Sequence, residues 1–225
     1  MFRRDLCNIS ILCWYLPATK SFITIGEILL RLTPPNYEKI RVTTNFEASY
    51  GGSEANIALA LANLGVDSTF FTVVPNNSLG KSAVRMLRSN DVHCTPIILS
   101  TPEETPTHRL GTYYLETGYG IRASKVTYDR KHSAFSEYDF NGFDIKNLLK
   151  DYTWLHLSGI TPALAKSCAA FVMDCLKTAK ELGLTVSFDA TSAVPCGAGT
   201  SARFLYRLSS LCGRALRHRT VSPLE

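Results

Sequence analysis

Two adjacent glycines and one amide side chain make the segment near position 50 the best candidate for ligand binding. Gly51 and Gly52 precede an alanine- and leucine-rich segment that is predicted to be helical and to end at Gly65. Glycines let a ligand approach the main chain, and the first N–H groups of a helix favour an oxygen-rich ligand. Asn56 adds a donor and an acceptor there. A polyol or sugar acid suits this place; the alternative is a glycine turn before a buried helix, with Asn56 bonded to nearby backbone.

Several ordered motifs resemble those of the ribokinase/PfkB family of carbohydrate kinases. The glycine pair, Ala55-Asn56, the alanine-rich segment and Leu64-Gly65 resemble the first signature of that family. The other motifs, all between about Phe22 and Asp189, lie at residues 25–35, 75–80, 112–116, 125–134 and 157–160. Within the family, the chain is most similar to the 2-keto-3-deoxygluconate kinases.

The resemblance implies ATP-dependent phosphorylation of 2-keto-3-deoxygluconate or a similar sugar acid, with ATP and Mg²⁺ as cofactors. The implied substrate-binding residues are Gly51, Gly52, Asn56, Tyr113, Tyr128 and Arg130. Arg130 would bind the substrate carboxylate, ideally through two parallel hydrogen bonds. Without the resemblance, a surface salt bridge from Arg130 to Asp129 or Glu137 is the simpler interpretation. The two tyrosines have packing of the lid as their alternative role.

The order of predicted elements indicates an α/β fold. Predicted strands at 22–32, 68–74, 92–99, 152–157 and 184–188 alternate with predicted helices at 53–63, 79–89 and 163–182, which is typical of a mostly parallel sheet with helices on both faces. The segments at about 42–50 and 107–128 do not fit this alternation. The resemblance implies that they form a small β-lid on a ribokinase-like three-layer αβα fold that is incomplete at its C-terminus. A homo-oligomer formed through this lid is possible.

The chain departs from the family pattern after Asp189. The family continues with an asparagine and an arginine, where this chain has Thr191 and Ala193, and no lysine follows Lys180. We interpret 190–225 as an aberrant tail, produced by a translated frameshift, and 22–189 as the N-terminal part of a sugar kinase domain. Residues 1–21 are interpreted as a non-native extension or a weak signal-like segment.

The resemblance also implies that the nucleotide site and the catalytic aspartate belong to a missing C-terminal third. Residues 197–200 resemble the glycine-rich anion hole of the family, but Thr200 replaces its aspartate and cannot act as a general base near neutral pH. We therefore assign no catalytic residue and expect the chain to be inactive. The alternatives are a catalytically dead fragment that binds a sugar acid or a partner, and a sugar-binding regulator.

Three further polar residues have structural interpretations. Asp189 is expected to be buried by its strand and to order the pocket, with a helix-cap role as the alternative. Glu54, at the start of the predicted helix, is expected to be a surface acid favoured by the helix dipole. His156 is expected to be a core histidine whose hydrogen bonds are satisfied.

Charge and hydropathy argue against nucleic acid and membrane as partners, and the cysteine pattern favours the cytoplasm. The 225 residues carry a formal charge of +5, but 190–225 contain five arginines and one acid, so 1–189 carry only +1. A basic nucleic-acid-binding face is therefore not expected. The seven cysteines show no C-x-x-C spacing, which favours a reduced cytoplasmic protein. No apolar run is long enough to cross a membrane.

Overall fold

The computed structural model describes residues 21–189, which contain ten strands and five helices. The strands are β1 (Phe22–Ile25), β2 (Leu29–Thr33), β3 (Glu47–Gly51), β4 (Ser68–Phe71), β5 (Val73–Pro75), β6 (Ile98–Ser100), β7 (Thr112–Glu116), β8 (Lys125–Asp129), β9 (Trp154–Ser158) and β10 (Thr185–Asp189). The helices are α1 (Ser53–Asn63), α2 (Ser78–Arg88), α3 (Ala134–Glu137), α4 (Ile145–Leu149) and α5 (Lys166–Glu181). Single 3-10 turns occur at Pro35–Tyr37 and Thr161–Ala163.

A four-stranded, fully parallel sheet with the order β10-β9-β1-β4 forms the centre of the fold. Side chains alternate across it, because successive strand residues point to opposite faces. Ile23, Ile25, Leu155 and Leu157 are fully buried in a cluster that also contains the buried face of α5. The opposite face carries Phe70, which packs in a second cluster with α1 and α2. The predicted α/β fold with helices on both faces is confirmed.

A second four-stranded sheet, with the order β3-β2-β7-β8, lies beside the first. β2 and β7 are parallel, whereas β3 and β8 are antiparallel to their neighbours. All five residues of β8 are exposed, which is expected of a strand at the edge of a sheet. We call this sheet the lid sheet. It corresponds to the β-lid predicted from 42–50 and 107–128, with β2 as an additional strand.

The predicted strand at 22–32 is wrong in one respect that matters for the site. It is two strands, β1 and β2, which belong to different sheets and are joined by Gly26, Glu27 and Ile28. The predicted strand at 68–74 is likewise divided into β4 and β5. Apolar residues run through both breaks, so hydrophobic pattern alone cannot detect them. Within 21–189, no helix combines the length and the hydropathy needed to cross a membrane.

Packing of α5 makes a testable prediction about two thiols. Cys168 and Cys175 are fully buried on this helix, and burial raises the pKa of Cys168 to about 12 and that of Cys175 further still. At pH 8 both are protonated and shielded, so iodoacetamide should leave them unmodified in the native protein and modify them fully in guanidinium. Peptide mass mapping measures this. Lys177→Cys, at an exposed position of the same helix, is the accessible control; equal native labelling of Cys175 and of that position would contradict the packing.

Candidate functional site

The glycine pair forms a tight turn between β3 and α1. Gly51 is the last residue of β3 and pairs with Leu29 of β2, and Gly52 precedes the first residue of α1 in an extended conformation. A Cβ atom on Gly52 would overlap the main-chain oxygen of Glu27. A Cβ atom on Gly51 would lie 3.1 Å from the Tyr113 hydroxyl and 3.6 Å from Asn56 Oδ1. The absence of side chains therefore lets the turn pack against Glu27 and leaves the main chain of Gly51 next to two polar groups.

Asn56 lies in the first turn of α1, as predicted. Its main-chain N–H donates to the Gly52 oxygen at 2.8 Å, and its side chain is exposed. Within residues 21–189 the amide group of Asn56 makes no hydrogen bond, so the alternative in which nearby backbone satisfies it is not observed. Its donor and acceptor are both available to a ligand.

The two predicted tyrosines and the predicted arginine lie together on the lid sheet. Tyr113 of β7 is the cross-strand partner of Tyr128 of β8, and their ring centroids are 5.8 Å apart. Arg130 follows β8, and its Cζ atom lies 5.7 Å from the centroid of the Tyr128 ring, within range of a cation–π interaction. Because the Tyr113 hydroxyl also approaches Gly51, the structure joins all six residues predicted to bind substrate into one continuous set.

Arg130 is paired with a residue that the sequence analysis did not consider. Its Nε atom donates to Glu27 Oε2 at 2.9 Å, and its Nη2 atom forms an ion pair with the same oxygen. The suggested salt bridges to Asp129 and Glu137 are wrong, because Asp129 pairs with Arg109 Nη2 at 2.9 Å, and Glu137 accepts from the Thr107 hydroxyl at 2.6 Å. Hydrogen bonding from Arg109 also lowers the pKa of Asp129.

Glu27 is deeply buried where β1 ends and β2 begins. Burial raises the pKa of its carboxyl group, and the charge of Arg130 opposes this effect without overcoming it. The Ser133 side chain also lowers the pKa of Glu27, but Oε1 has no partner in hydrogen-bonding geometry in the described part of the chain. The signal that could have revealed Glu27 is a single acid between two apolar runs, since an acid there must be paired or functional.

Glu54 is not a surface acid, which corrects the sequence interpretation. Its side chain is buried, and Oε1 accepts from the Ser158 hydroxyl at 2.6 Å and the Thr161 hydroxyl at 2.7 Å. Thr24 also donates to its main-chain oxygen at 3.1 Å. The start of α1 packs directly on β1 and β9, and Gly26 provides the space, because a Cβ atom there would overlap the Glu54 carboxylate. Glu54 thus ties the loop after β9 to the start of α1.

Asp189 and His156 also differ from expectation. Asp189 is exposed, because β10 is the outer strand of the described sheet, and its main-chain oxygen accepts from the Gly159 N–H at 2.8 Å. His156 is only half-buried: its Nδ1 atom lies 2.8 Å from the Ser187 hydroxyl, and its buried Nε2 atom has no hydrogen-bond partner among residues 21–189. Burial lowers the pKa of His156. The expected satisfied core histidine is therefore only half satisfied.

In the described range 21–189, no three His, Cys, Asp or Glu side chains are arranged to hold a metal ion. We therefore assign no Mg²⁺ ligand among these residues. Thr191, Ala193 and the glycine-rich segment 197–200 lie outside the described residues.

Comparison with known proteins places this geometry in a family. The sequence profile described as "pfkB family carbohydrate kinase" matches residues 19–198, which is most of the chain. The chain belongs to the pfkB family of carbohydrate kinases. The resemblance found in the ordered motifs is thereby confirmed.

Three relatives illustrate what this pfkB-family chain is similar to. A 2-dehydro-3-deoxygalactonokinase of Haloferax volcanii is 31% identical over 171 residues, covering 76% of this chain and 52% of the relative. The crystal structure of 2-dehydro-3-deoxygluconokinase from Thermotoga maritima is 44% identical with a TM-score of 0.72, covering 76% of this chain and 51% of that one. A sugar kinase from Pyrococcus horikoshii in complex with ATP shares the fold, at 18% identity and a TM-score of 0.68. The match covers 84% of this chain and 59% of that one. The chain spans about half the length of the first two.

The glycine turn yields a prediction with an internal control. Gly52→Ala should destabilise the protein by about 1–3 kcal/mol, because the added methyl group meets the main-chain oxygen of Glu27, which cannot move away without shifting a strand. Gly51→Ala should cost much less, because its methyl group meets the end of the Tyr113 side chain, which can rotate. Urea unfolding followed by circular dichroism compares the two. Equal losses would show that the turn does not depend on close packing against Glu27.

Proposed function

We propose that residues 22–189 form the sugar-acid-binding part of a carbohydrate kinase of the 2-keto-3-deoxygluconate kinase type. The observation that carries the proposal is that Gly51, Asn56, Tyr113, Tyr128 and Arg130 lie in one continuous set. The set combines neutral hydrogen-bonding groups with one guanidinium group. A sugar acid presents the matching groups, which are several hydroxyls and one carboxylate.

Arg130 is the group that supports an acidic rather than a neutral sugar. Two of its nitrogen atoms, Nε and Nη2, face Glu27, and its side chain is 20% exposed. Nη1 donates to no acceptor among the residues that the structure describes. A guanidinium group binds a carboxylate through two parallel N–H···O bonds, which are stronger than neutral hydrogen bonds.

The relatives support the same class of substrate. The names of the Haloferax and Thermotoga kinases refer to two 2-dehydro-3-deoxy sugar acids, a galactonate and a gluconate. We therefore propose the class of 2-keto-3-deoxy sugar acids rather than one epimer. The ATP complex of the Pyrococcus sugar kinase supports ATP as the phosphoryl donor of the lineage.

Binding without catalysis is the second candidate function. It is favoured by the sequence after Asp189, where Thr191 and Ala193 replace the asparagine and arginine of the family pattern and Thr200 replaces its aspartate. Under this proposal the chain binds the sugar acid and does not transfer a phosphoryl group to it.

The binding proposal predicts a specific role for Arg130. Arg130→Ala should weaken binding of 2-keto-3-deoxygluconate by about ten- to a hundredfold, since a charged hydrogen bond contributes about 1.5–3 kcal/mol. Isothermal titration calorimetry measures this. Arg85→Ala removes the same charge from the exposed face of α2 and should bind as the unchanged protein does. Equal affinities for the Arg130 variant and the unchanged protein would remove Arg130 from the site.

Catalysis is tested separately. The purified chain should release no ADP from MgATP in the presence of 2-keto-3-deoxygluconate, because no aspartate follows Asp189 to accept the hydroxyl proton. A coupled ADP assay with an active pfkB kinase as positive control measures this. Turnover that depends on the sugar acid would contradict the binding-only function and favour the kinase. If Thr200→Ala then abolished this turnover, residues 197–200 would be assigned a role in it.

A further inference from the structure

The Glu27 carboxylate occupies the junction between the central sheet and the lid sheet. It follows β1 by two residues and precedes β2 by two, and its side chain is only 3% exposed. The residue it pairs with, Arg130, is 103 positions away, directly after β8. This ion pair connects the end of the first strand of the central sheet with the outer strand of the lid sheet.

Glu27 is held firmly by the main chain around it. Its main-chain oxygen packs against Gly52, which has no side chain to keep it away. Its Oε1 atom occupies the space left by Gly111, where a Cβ atom would lie only 2.8 Å away. The main chain of Glu27 is thus fixed by the Gly51–Gly52 turn, and its carboxylate lies in a buried space beside the start of β7. It is therefore a fixed point for any side chain that pairs with it.

Arg130 needs such a fixed point, because the strand that precedes it provides little support. Every residue of β8 is exposed, and a free arginine side chain has many rotamers to lose on ordering. The contacts to Glu27 use Nε–H and one hydrogen of Nη2, which form one side of the planar guanidinium group. The end of the group, with one hydrogen on each Nη atom, remains available for a second carboxylate.

We propose that Glu27 is a positioning residue of the sugar-acid site, which orients Arg130 so that the end of its guanidinium group faces the substrate carboxylate. This inference rests on the proposed function, in which Arg130 binds that carboxylate. Glu27 itself touches neither the substrate nor the reacting atoms.

The free energy of the pair is consistent with positioning rather than with stabilisation of the fold. The pKa of Glu27 is raised by burial, so the folded protein holds this proton more tightly than the unfolded chain does. As the pH rises above the ordinary pKa of a glutamate, the contribution of Glu27 to the free energy of unfolding therefore falls. The charge of Arg130 therefore does not fully compensate for the burial of the carboxylate, as is common for buried ion pairs. What the pair provides is a defined geometry.

Two substitutions separate positioning from the other roles that Glu27 can have. Glu27→Gln keeps the length of the side chain and removes its charge, whereas Glu27→Asp keeps the charge and shortens the reach. Titration calorimetry with 2-keto-3-deoxygluconate and with 3-deoxyfructose, in which a hydroxymethyl group replaces the carboxylate, distinguishes acidic from neutral ligands. Both variants should weaken binding of the acid about tenfold and change binding of the neutral sugar less than twofold. Glu47→Gln, on the exposed part of β3, should change neither.

Two results would overturn the proposal. Tighter binding of the acid by Glu27→Gln would mean that Glu27 only neutralises Arg130, because removal of a negative charge should then favour an anion. Equal weakening for both ligands would mean that Glu27 only maintains the fold.

A measurement on the unchanged, ligand-free protein covers the case in which the variants do not fold. With ¹⁵N-arginine labelling, the Nε–H signal of Arg130, assigned by its loss in Arg130→Lys, should exchange with water at least tenfold more slowly than that of exposed Arg85. Equal exchange rates would overturn the proposal. The exchange measurement needs no sugar, so its outcome does not depend on the proposed function. The proposed function is contradicted by a different result, in which Arg130→Ala binds the acid as tightly as the unchanged protein does.

Discussion

The close packing of Glu27 against Gly52 is the contact on which the arrangement of the site depends. It fixes the start of α1 against the end of β1, and it occurs where the chain leaves the central sheet for the lid sheet. From there, Gly51 reaches Tyr113 and the Glu27 side chain reaches Arg130, so this short segment contacts two of the candidate binding residues. Packing of this kind leaves little freedom, because main-chain atoms in contact cannot be repacked by changing rotamers.

A second buried acid organises the neighbouring side of the site. Glu54 accepts hydrogen bonds from Ser158 and Thr161, and Ser158 in turn accepts from the Ile160 N–H at 3.2 Å. The loop after β9 is thus tied to the start of α1 by side-chain hydrogen bonds rather than by a strand. Glu27 pairs with a cation and Glu54 with hydroxyl groups, which are the two ways in which proteins compensate a buried carboxylate.

The sequence predicted the fold class and the bounds of α1, because these depend on local pattern and on the resemblance. The binding role of the six candidate residues stays a prediction. It failed wherever long-range contacts decide the outcome. Glu54 looked like a surface acid because its neighbours in sequence form a helix start, but its environment is set by Ser158 and Thr161, more than 100 residues away. The partner of Arg130 was missed for the same reason. Asp189 was expected to be buried by its strand context, but burial of a strand depends on which strands flank it in the sheet.

The parallel pairing of β2 with β7 constrains how the chain can fold. Leu30 pairs with Thr112, so the lid sheet closes a loop of about 80 residues that contains α1, α2 and three strands of the other two sheets. Closing such a loop costs chain entropy that local contacts do not repay, which makes long-range parallel pairing slow. During synthesis, β2 remains without its parallel partner until residue 112 has left the ribosome, although β1, only three residues earlier, can already pair with β4. Each of these two adjacent strands thus has an early and a late partner: β1 pairs with β4 and later with β9, and β2 with β3 and later with β7.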